Sequence, residues 1–121
     1  MNFEIRTEKL ADDAYLIAVV GEADLYTVPE LKEELLQSIE LGARRVIVDL
    51  SQTTLVDSAA LGVLVSGVKR LRAEGGELAV VCADRAITRI FEITGLDRVF
   101  TVHPSRAEAI ERLGVSPQPT P

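Results

Sequence analysis

Apolar and polar residues alternate from Phe3 to Lys9, a pattern that predicts a half-buried β-strand. A continuous apolar run from Tyr15 to Val20 follows and stops at Gly21, and it predicts a second strand. The short segment 11–14 between the two runs has the composition of a turn. We therefore expect the chain to begin with a β-hairpin.

Helical spacing begins at Thr27, after the predicted hairpin. Thr27 and Glu30 stand three residues apart, as in a capping box, and Pro29 suits the first turn of a helix. Gly42 is a suitable place for the helix to end. The residues predicted to form the buried face of this helix are Val28, Leu31, Leu35 and Ile39.

The rest of the chain alternates between short apolar runs and helical patterns. The predicted strands are Arg45 to Leu50, Leu78 to Cys82 and Val99 to Val102. Further helices are predicted to start at Ser58, Asp84 and Ser105. Ser105 has Glu108 at capping-box spacing, and the helix that it starts should end near Leu113. The apolar face of the Asp84 helix is predicted to be Ile87, Ile90, Phe91 and Ile93.

The resulting order is β-β-α-β-α-β-α-β-α. It contains three strand–helix–strand units, and such units place their strands parallel to one another. The initial hairpin adds an antiparallel strand at the edge. The predicted fold class is therefore α/β, a single domain with a mixed sheet, an initial β-hairpin and helices packed on the sheet.

The helix predicted from Ser58 carries no charged residue between Ala59 and Val68. Surface helices normally have charges on their outer face, so this helix is a candidate docking element. Helical spacing predicts that one stripe faces the sheet: Leu61, Leu64, Val65, Val68 and Leu71. The opposite, smooth stripe is predicted to be Ala59, Gly62, Val63 and Ser66. Either a partner docks on that outer stripe, or another helix of the same domain covers it.

Ser58 is also a candidate modification site. A serine at the start of a helix can cap the free N–H groups of the first turn. The same N–H groups would receive a phosphate placed on its hydroxyl. Ser58 beside an uncharged helix therefore indicates a docking surface that a phosphate could switch.

Composition narrows the class of protein. At 121 residues we expect one domain over residues 1–115 and a polar, proline-rich, disordered tail over residues 116–121. The net charge of −6 argues against nucleic-acid binding, because phosphate contacts need clustered Lys and Arg. No signal peptide and no membrane-spanning run is visible. The single cysteine, Cys82, fits a reducing compartment, and we expect a cytoplasmic protein. From the charge and the lack of a membrane-spanning run, we expect neither nucleic-acid nor membrane partners.

No complete catalytic constellation is visible in the sequence. The single histidine, His103, is interpreted as a loop residue before the last helix. Cys82 is interpreted as a core residue of an apolar strand. We therefore expect no enzyme activity, no cofactor and no metal site.

Four acids are placed at or near the ends of predicted strands: Glu22, Asp24, Asp49 and Asp57. They could form a metal or phosphoacceptor site, or they could be solvated loop acids and helix caps. Parallel strands would bring Asp24 and Asp57 toward one edge of the sheet. For Asp49 the solvated interpretation is favoured.

Three motifs resemble one family. Residues 57–64, Asp-Ser-Ala-Ala-Leu-Gly-Val-Leu, resemble the anti-sigma factor antagonists, whose fold is called the STAS domain. Residues 21–24, Gly-Glu-Ala-Asp, resemble the family's Gly-Glu-x-Asp step after the second strand, and residues 91–96 resemble its Phe-x-x-x-Gly-Leu segment. The resemblance extends over nearly the whole chain and implies the STAS fold.

What the resemblance implies is a phosphorylation switch. In the family, an anti-sigma factor that is also a serine kinase (of the ATPase type) phosphorylates the serine after the motif aspartate, and Ser58 holds that position. The unphosphorylated antagonist binds the kinase and frees the sigma factor, and a metal-dependent serine phosphatase restores it. Ala59 stands where many members have Ser or Thr, which leaves Ser58 as the only hydroxyl of the motif. The partner-binding residues are predicted to be Asp24, Asp57, Ala59, Gly62, Val63 and Ser66.

Other functions stay open at this point. A two-component receiver would use Asp49 as its phosphoacceptor, although the paired early acids and the late lysine that receivers need have no clear counterpart. A STAS-like subunit of a lipid-transport or scaffold assembly would co-purify with its complex independently of ATP. A small-molecule enzyme is the weakest alternative, since no acid–base pair is visible.

Overall fold

The computed structural model of the chain describes residues 3–115. Over that range five strands and four helices form one α/β domain. The strands are β1 (Glu4–Ala11), β2 (Ala14–Ala23), β3 (Arg45–Val56), β4 (Glu77–Val81) and β5 (Thr101–His103). The helices are α1 (Val28–Glu40), α2 (Ser58–Ala73), α3 (Arg85–Thr94) and α4 (Arg106–Arg112), with a 3-10 turn at Leu96–Arg98. The predicted tail over residues 116–121 lies outside the described residues.

The strands form one mixed sheet in the order β1-β2-β3-β4-β5. β1 and β2 are antiparallel, with Glu4 opposite Val20, and form the predicted hairpin. The other neighbouring pairs are parallel, because a helix returns the chain across the sheet between them. The predicted fold class and the order of elements are confirmed.

Helices cover both faces of the sheet, three on one side and one on the other. Successive residues of a strand point to opposite faces. Val46 and Val48 therefore join the large core with residues of α1, α2 and α3, whereas Ile47 joins a smaller core with Ala109 of α4. Burial on both faces explains why the central strands read as continuous apolar runs.

α2 buries a wider arc than the sequence predicted, because it packs against α1 as well as against the sheet. A Cβ atom on Gly67 would lie 2.5 Å from Leu35 Cδ2 of α1, so the two helices are in contact at that glycine. Val63 is 8% exposed and belongs to the large core, and the prediction that it faces outward is wrong. Leu61 and Val65, predicted to face the sheet, are half-buried.

β2 and β3 extend beyond the apolar runs that predicted them. β2 ends at Ala23 and β3 at Val56, whereas the apolar runs stop before Gly21 and at Leu50. The added residues stay paired with each other. They include polar side chains such as buried Thr53, whose hydroxyl donates a hydrogen bond to a carbonyl of β2 at 2.8 Å. Hydrophobic periodicity does not detect a strand segment whose buried polar groups are bonded in this way.

Asp49 lies inside β3 and is buried, so its predicted place near a strand end and its interpretation as a solvated acid are both wrong. Its carboxylate is buried under α4, where it accepts hydrogen bonds from the Ser51 N–H at 2.9 Å and from Arg106 Nε at 2.5 Å. Burial raises the pKa of Asp49, but the hydrogen bonds from Ser51 and the Arg106 guanidinium outweigh it and hold the pKa below its usual 3.8. Asp49 therefore ties the start of α4 to the sheet.

The loss of stability at acidic pH should reveal the lowered pKa of Asp49. A carboxyl group with a lowered folded pKa stabilises the protein above its unfolded pKa, near 3.8, and the stabilisation is lost as the pH falls through the lower folded value. We expect the urea midpoint, followed by circular dichroism, to fall more steeply between about pH 5 and pH 3 in the wild type than in Asp49→Asn. Equal slopes would contradict the lowered pKa.

The caps of the later helices follow the sequence more closely than that of α1. Asp84 and Ser105 cap α3 and α4 through their side chains, as predicted. Thr27 makes no capping bond to α1, because its hydroxyl is engaged in the preceding loop. His103 ends β5 and does not lie in a loop, and Ile93, predicted for the buried face of α3, is 74% exposed.

Candidate functional site

Ser58 is the first residue of α2. The residue before it, Asp57, is extended, and its Oδ1 accepts a hydrogen bond from the Ala60 N–H at 3.1 Å. Asp57 is therefore the N-cap, and the prediction that Ser58 caps the helix is wrong. As a consequence the Ser58 hydroxyl makes no hydrogen bond to residues 3–115, and the residue is exposed.

The loop between β2 and α1 lies beside Ser58 because Asp57 holds both. The second carboxylate oxygen of Asp57, Oδ2, accepts a hydrogen bond from the Leu25 N–H at 3.0 Å. The Asp57 N–H in turn donates to the Ala23 carbonyl at 3.1 Å. One side chain thus joins the start of α2 to the 24–27 loop. This contact agrees with the expectation that Asp24 and Asp57 reach one edge of the sheet.

Asp24 organises the 24–27 loop from within. Its Oδ1 accepts hydrogen bonds from the N–H groups of Tyr26 at 2.9 Å and Thr27 at 3.1 Å. The Thr27 hydroxyl donates to the Glu22 carbonyl at 2.6 Å. Within the described part of the chain no hydrogen bond joins Asp24 to Ser58. The Asp24 carboxylate therefore sets the shape of the loop and does not orient the Ser58 hydroxyl.

The electrostatic environment of the Ser58 hydroxyl is mixed. The backbone N–H groups of Ser58 and Ala59 donate no hydrogen bond within residues 3–115. A helix N-terminus with free N–H groups carries partial positive charge and attracts anions. The Asp57 carboxylate lies at the same helix end and opposes that attraction. A phosphate on Ser58 would meet two free donors and one adjacent negative charge.

Beyond Ser58 the exposed side of α2 carries small residues. Ser58, Gly62 and Ser66 are exposed at intervals of four residues, and Ala59 is half-buried beside them. A Cβ atom on Gly62 would meet nothing within 4 Å, so no described element covers that position. The outer stripe of α2 is therefore open at Gly62 and Ser66, whereas Val63 is buried.

Sequence reasoning missed two exposed apolar side chains beside Ser58. Leu25 is 67% exposed and Tyr26 is 87% exposed, and both belong to the 24–27 loop. Near them Leu55, at the end of β3, is 43% exposed. The sequence does contain a signal for them. Leu25 and Tyr26 are large apolar residues in a segment where hydrophobic periodicity predicts neither a strand nor a helix.

The other candidate residues lie apart from Ser58. The burial of Asp49 and its bond to Arg106 remove the support for a receiver-type phosphoacceptor. Cys82 is buried, as predicted, and this burial raises the pKa of its thiol. His103 Nε2 lies 3.0 Å from Thr101 Oγ1 in β5.

Residues 3–115 contain no group of three or more His, Cys, Asp and Glu side chains placed to hold a metal ion. In the same range no helix combines the length and the apolar character needed to cross a bilayer.

Comparison with known proteins gives consistent results. The STAS domain family matches residues 5–109. The anti-sigma-B factor antagonist of Staphylococcus aureus is 39% identical over 103 residues, which are 85% of this chain and 94% of that protein. The crystal structure of an anti-sigma factor antagonist from Mycobacterium paratuberculosis has a TM-score of 0.84 at 26% identity, and the match covers 93% of this chain and 95% of the other. The structure of the Bacillus cell fate determinant SpoIIAA in the phosphorylated form has a TM-score of 0.73, and the match covers 90% of this chain and 98% of the other. Because the two sequences are only 18% identical, this similarity concerns the fold alone.

Proposed function

The chain belongs to the STAS domain family, and on that basis we propose that it is an anti-sigma factor antagonist switched by phosphorylation of Ser58. In this proposal the unphosphorylated chain binds an anti-sigma factor that is also a serine kinase, and a sigma factor is released. Phosphorylation by the kinase ends the binding, and a serine phosphatase restores it. Relatives named as anti-sigma factor antagonists support the regulatory role.

The observation that carries the proposal is the exposed hydroxyl of Ser58, which makes no hydrogen bond to residues 3–115. A kinase can transfer the γ-phosphoryl group of ATP only to a hydroxyl that reaches its active site. Because Asp57 takes the capping role, no hydrogen bond to the described residues has to break when Ser58 Oγ is modified. Ala59 and Ala60 offer no competing hydroxyl.

A phosphate on Ser58 should leave the fold intact and change its surface. It would add a charge of about −1.5 to −2. The N-terminus of α2 would favour that charge by about 0.3–1 kcal/mol, and the Asp57 carboxylate would oppose it. A partner packed closely over Gly62 and Ser66 would displace the water that hydrates the dianion, which is unfavourable. Phosphorylation would therefore weaken binding strongly without unfolding the domain.

The proposed partner surface runs from the loop after β2 to the exposed side of α2. Ala59, Gly62 and Ser66 present a face without long side chains, which permits close approach by another backbone. Asp24 and Asp57 shape the loop and the helix start through their hydrogen bonds to backbone N–H groups. These five residues, together with Ser58, are the site that we propose.

This role assigns the chemistry to other proteins. The kinase and the phosphatase carry out phosphoryl transfer and hydrolysis, and this chain is their protein substrate and binding partner. The proposal includes a cytoplasmic location and no direct contact with nucleic acid or membrane.

Mapping the phosphate tests the proposal. The wild type, Ser58→Ala and Ser66→Ala would be incubated with ATP and the anti-sigma factor kinase of the same organism, and the modified peptide identified by mass spectrometry. We expect one phosphate on Ser58 in the wild type and in Ser66→Ala, and none in Ser58→Ala. Ser66 is the matched control because it is an exposed hydroxyl two turns along the same helix.

Labelling of Ser58→Ala at the wild-type level would contradict Ser58 as the acceptor. Stable co-purification with a transport or scaffold complex, independent of ATP and of Ser58, would favour the alternative of an assembly subunit.

A further inference from the structure

Two adjacent exposed apolar side chains belong to the loop that Asp57 holds next to Ser58. Within residues 3–115 the large apolar side chains that are exposed belong to Leu25, Tyr26, Leu41, Leu55 and Ile93. The first two lie in the 24–27 loop, and Leu55 lies three residues before Ser58. Single exposed apolar side chains are ordinary, but several at one place indicate a contact surface.

The 24–27 loop is held by hydrogen bonds to its backbone, while its apolar side chains are exposed. The Leu25 N–H donates to Asp57 Oδ2 at 3.0 Å, and the Tyr26 N–H donates to Asp24 Oδ1 at 2.9 Å. The conformation of the loop is therefore set before a partner binds, which reduces the entropy that ordering would cost. Tyrosine is one of the residues enriched at interface hot spots.

Acidic residues predominate in the segments around these side chains, and the first basic residue after the loop is Lys32 in α1. Residues 21–31 and 50–66 form the strand ends, the loop and the starts of α1 and α2. Their charged residues are all acidic, and neither segment contains Lys or Arg: Glu22, Asp24, Glu30 and Asp57. A partner complementary to this surface would surround an apolar pocket with basic residues.

We propose that Leu25 and Tyr26 form the anchor through which this chain selects its anti-sigma factor. The two side chains enter an apolar pocket on that protein, and Lys or Arg side chains rim the pocket. The inference rests on the proposed function and adds to it the determinant of partner choice. Asp57 places the anchor next to Ser58, because its carboxylate holds the loop and its main chain continues directly into Ser58.

Alanine substitutions with matched controls test the anchor. Tyr26→Ala and Leu25→Ala would be compared with Leu41→Ala and Ile93→Ala, which remove exposed apolar side chains of similar size far from Ser58 in the fold. The probe is the purified anti-sigma factor that phosphorylates the chain, and affinity is measured by titration calorimetry. We expect Tyr26→Ala to weaken binding about tenfold or more and Leu25→Ala to weaken it several-fold. The controls should stay within about twofold, and all four thermal midpoints should match the wild type.

The outcomes separate the anchor from the switch. If Tyr26→Ala and Leu25→Ala bind like the wild type while phosphorylation still abolishes binding, the anchor is wrong and the switch stands. Equal losses in all four variants would also overturn the anchor, because binding would then respond to apolar area in general. If the unmodified wild type does not bind the anti-sigma factor, both proposals are overturned.

Amide hydrogen exchange tests the preset loop without any partner. The Leu25 amide should be protected in the wild type and lose its protection in Asp57→Asn, because the asparagine amide supplies only one acceptor oxygen where Asp57 uses two. Exchange of the wild-type Leu25 amide at the rate of an unstructured peptide would contradict the preset loop and with it the anchor.

Discussion

Val63→Glu should lower the free energy of unfolding by about 3 kcal/mol. Val63 is 8% exposed and belongs to the large core, so the new side chain would have to bury a carboxylate or take up a proton. A domain of this size is stable by only about 5–15 kcal/mol. We expect the thermal midpoint, measured by scanning calorimetry, to fall by about 12 °C or more.

Ser66→Glu is the matched control on the same helix. Ser66 is exposed, and an introduced carboxylate would lie one turn before Arg70, so stability should change by no more than about 0.5 kcal/mol. Because Ser66 belongs to the proposed partner surface, the same substitution should weaken binding to the anti-sigma factor. A Val63→Glu protein as stable as the wild type would show that α2 is oriented differently from the structure described above.

Phosphorylation of Ser58 should lower the affinity for the anti-sigma factor about a hundredfold or more, equivalent to about 2.8 kcal/mol. The phosphate would lie at the start of the small-residue face of α2, where a close-packed partner cannot hydrate it. Ser58→Ala should bind like the unphosphorylated protein, because the lost hydroxyl has no hydrogen bond to the described residues. Its thermal midpoint should also stay near that of the wild type.

The fold could be predicted from the sequence because the strands are buried on both sides. Val46, Ile47 and Val48 point alternately into two cores, so the strand reads as an unbroken apolar run. Short apolar runs separated by helical patterns then determine a parallel arrangement, and the initial hairpin supplies the antiparallel edge. The caps at Asp84 and Ser105 followed from local sequence because each bond joins a side chain to the next turn of its own helix.

The orientation of α2 could not be predicted from its own periodicity. Because Gly67 packs closely against Leu35, the buried face of α2 includes residues that face α1. The sequence of α2 alone does not indicate which helix lies beside it. Asp57 and Ser58 are both good capping residues, so composition alone could not decide which of them caps α2.

The partner side of the site was harder still to predict. Leu25 and Tyr26 are placed beside Ser58 by long-range hydrogen bonds, among them the bond from the Leu25 N–H to Asp57. That bond joins residues 32 positions apart in the sequence. No local pattern in the chain indicates such a contact. The motif around Ser58 was visible in the sequence, but the surface that surrounds it required the three-dimensional structure.

Titration calorimetry of the unphosphorylated and the Ser58-phosphorylated chain against the same anti-sigma factor tests the switch most directly. Mass spectrometry would confirm a single phosphate on Ser58, and circular dichroism would confirm that both forms are folded. We expect the unphosphorylated chain to bind, and the phosphorylated chain to bind about a hundredfold or more weakly. Equal affinities of two folded forms would contradict the proposal that phosphorylation of Ser58 controls partner binding.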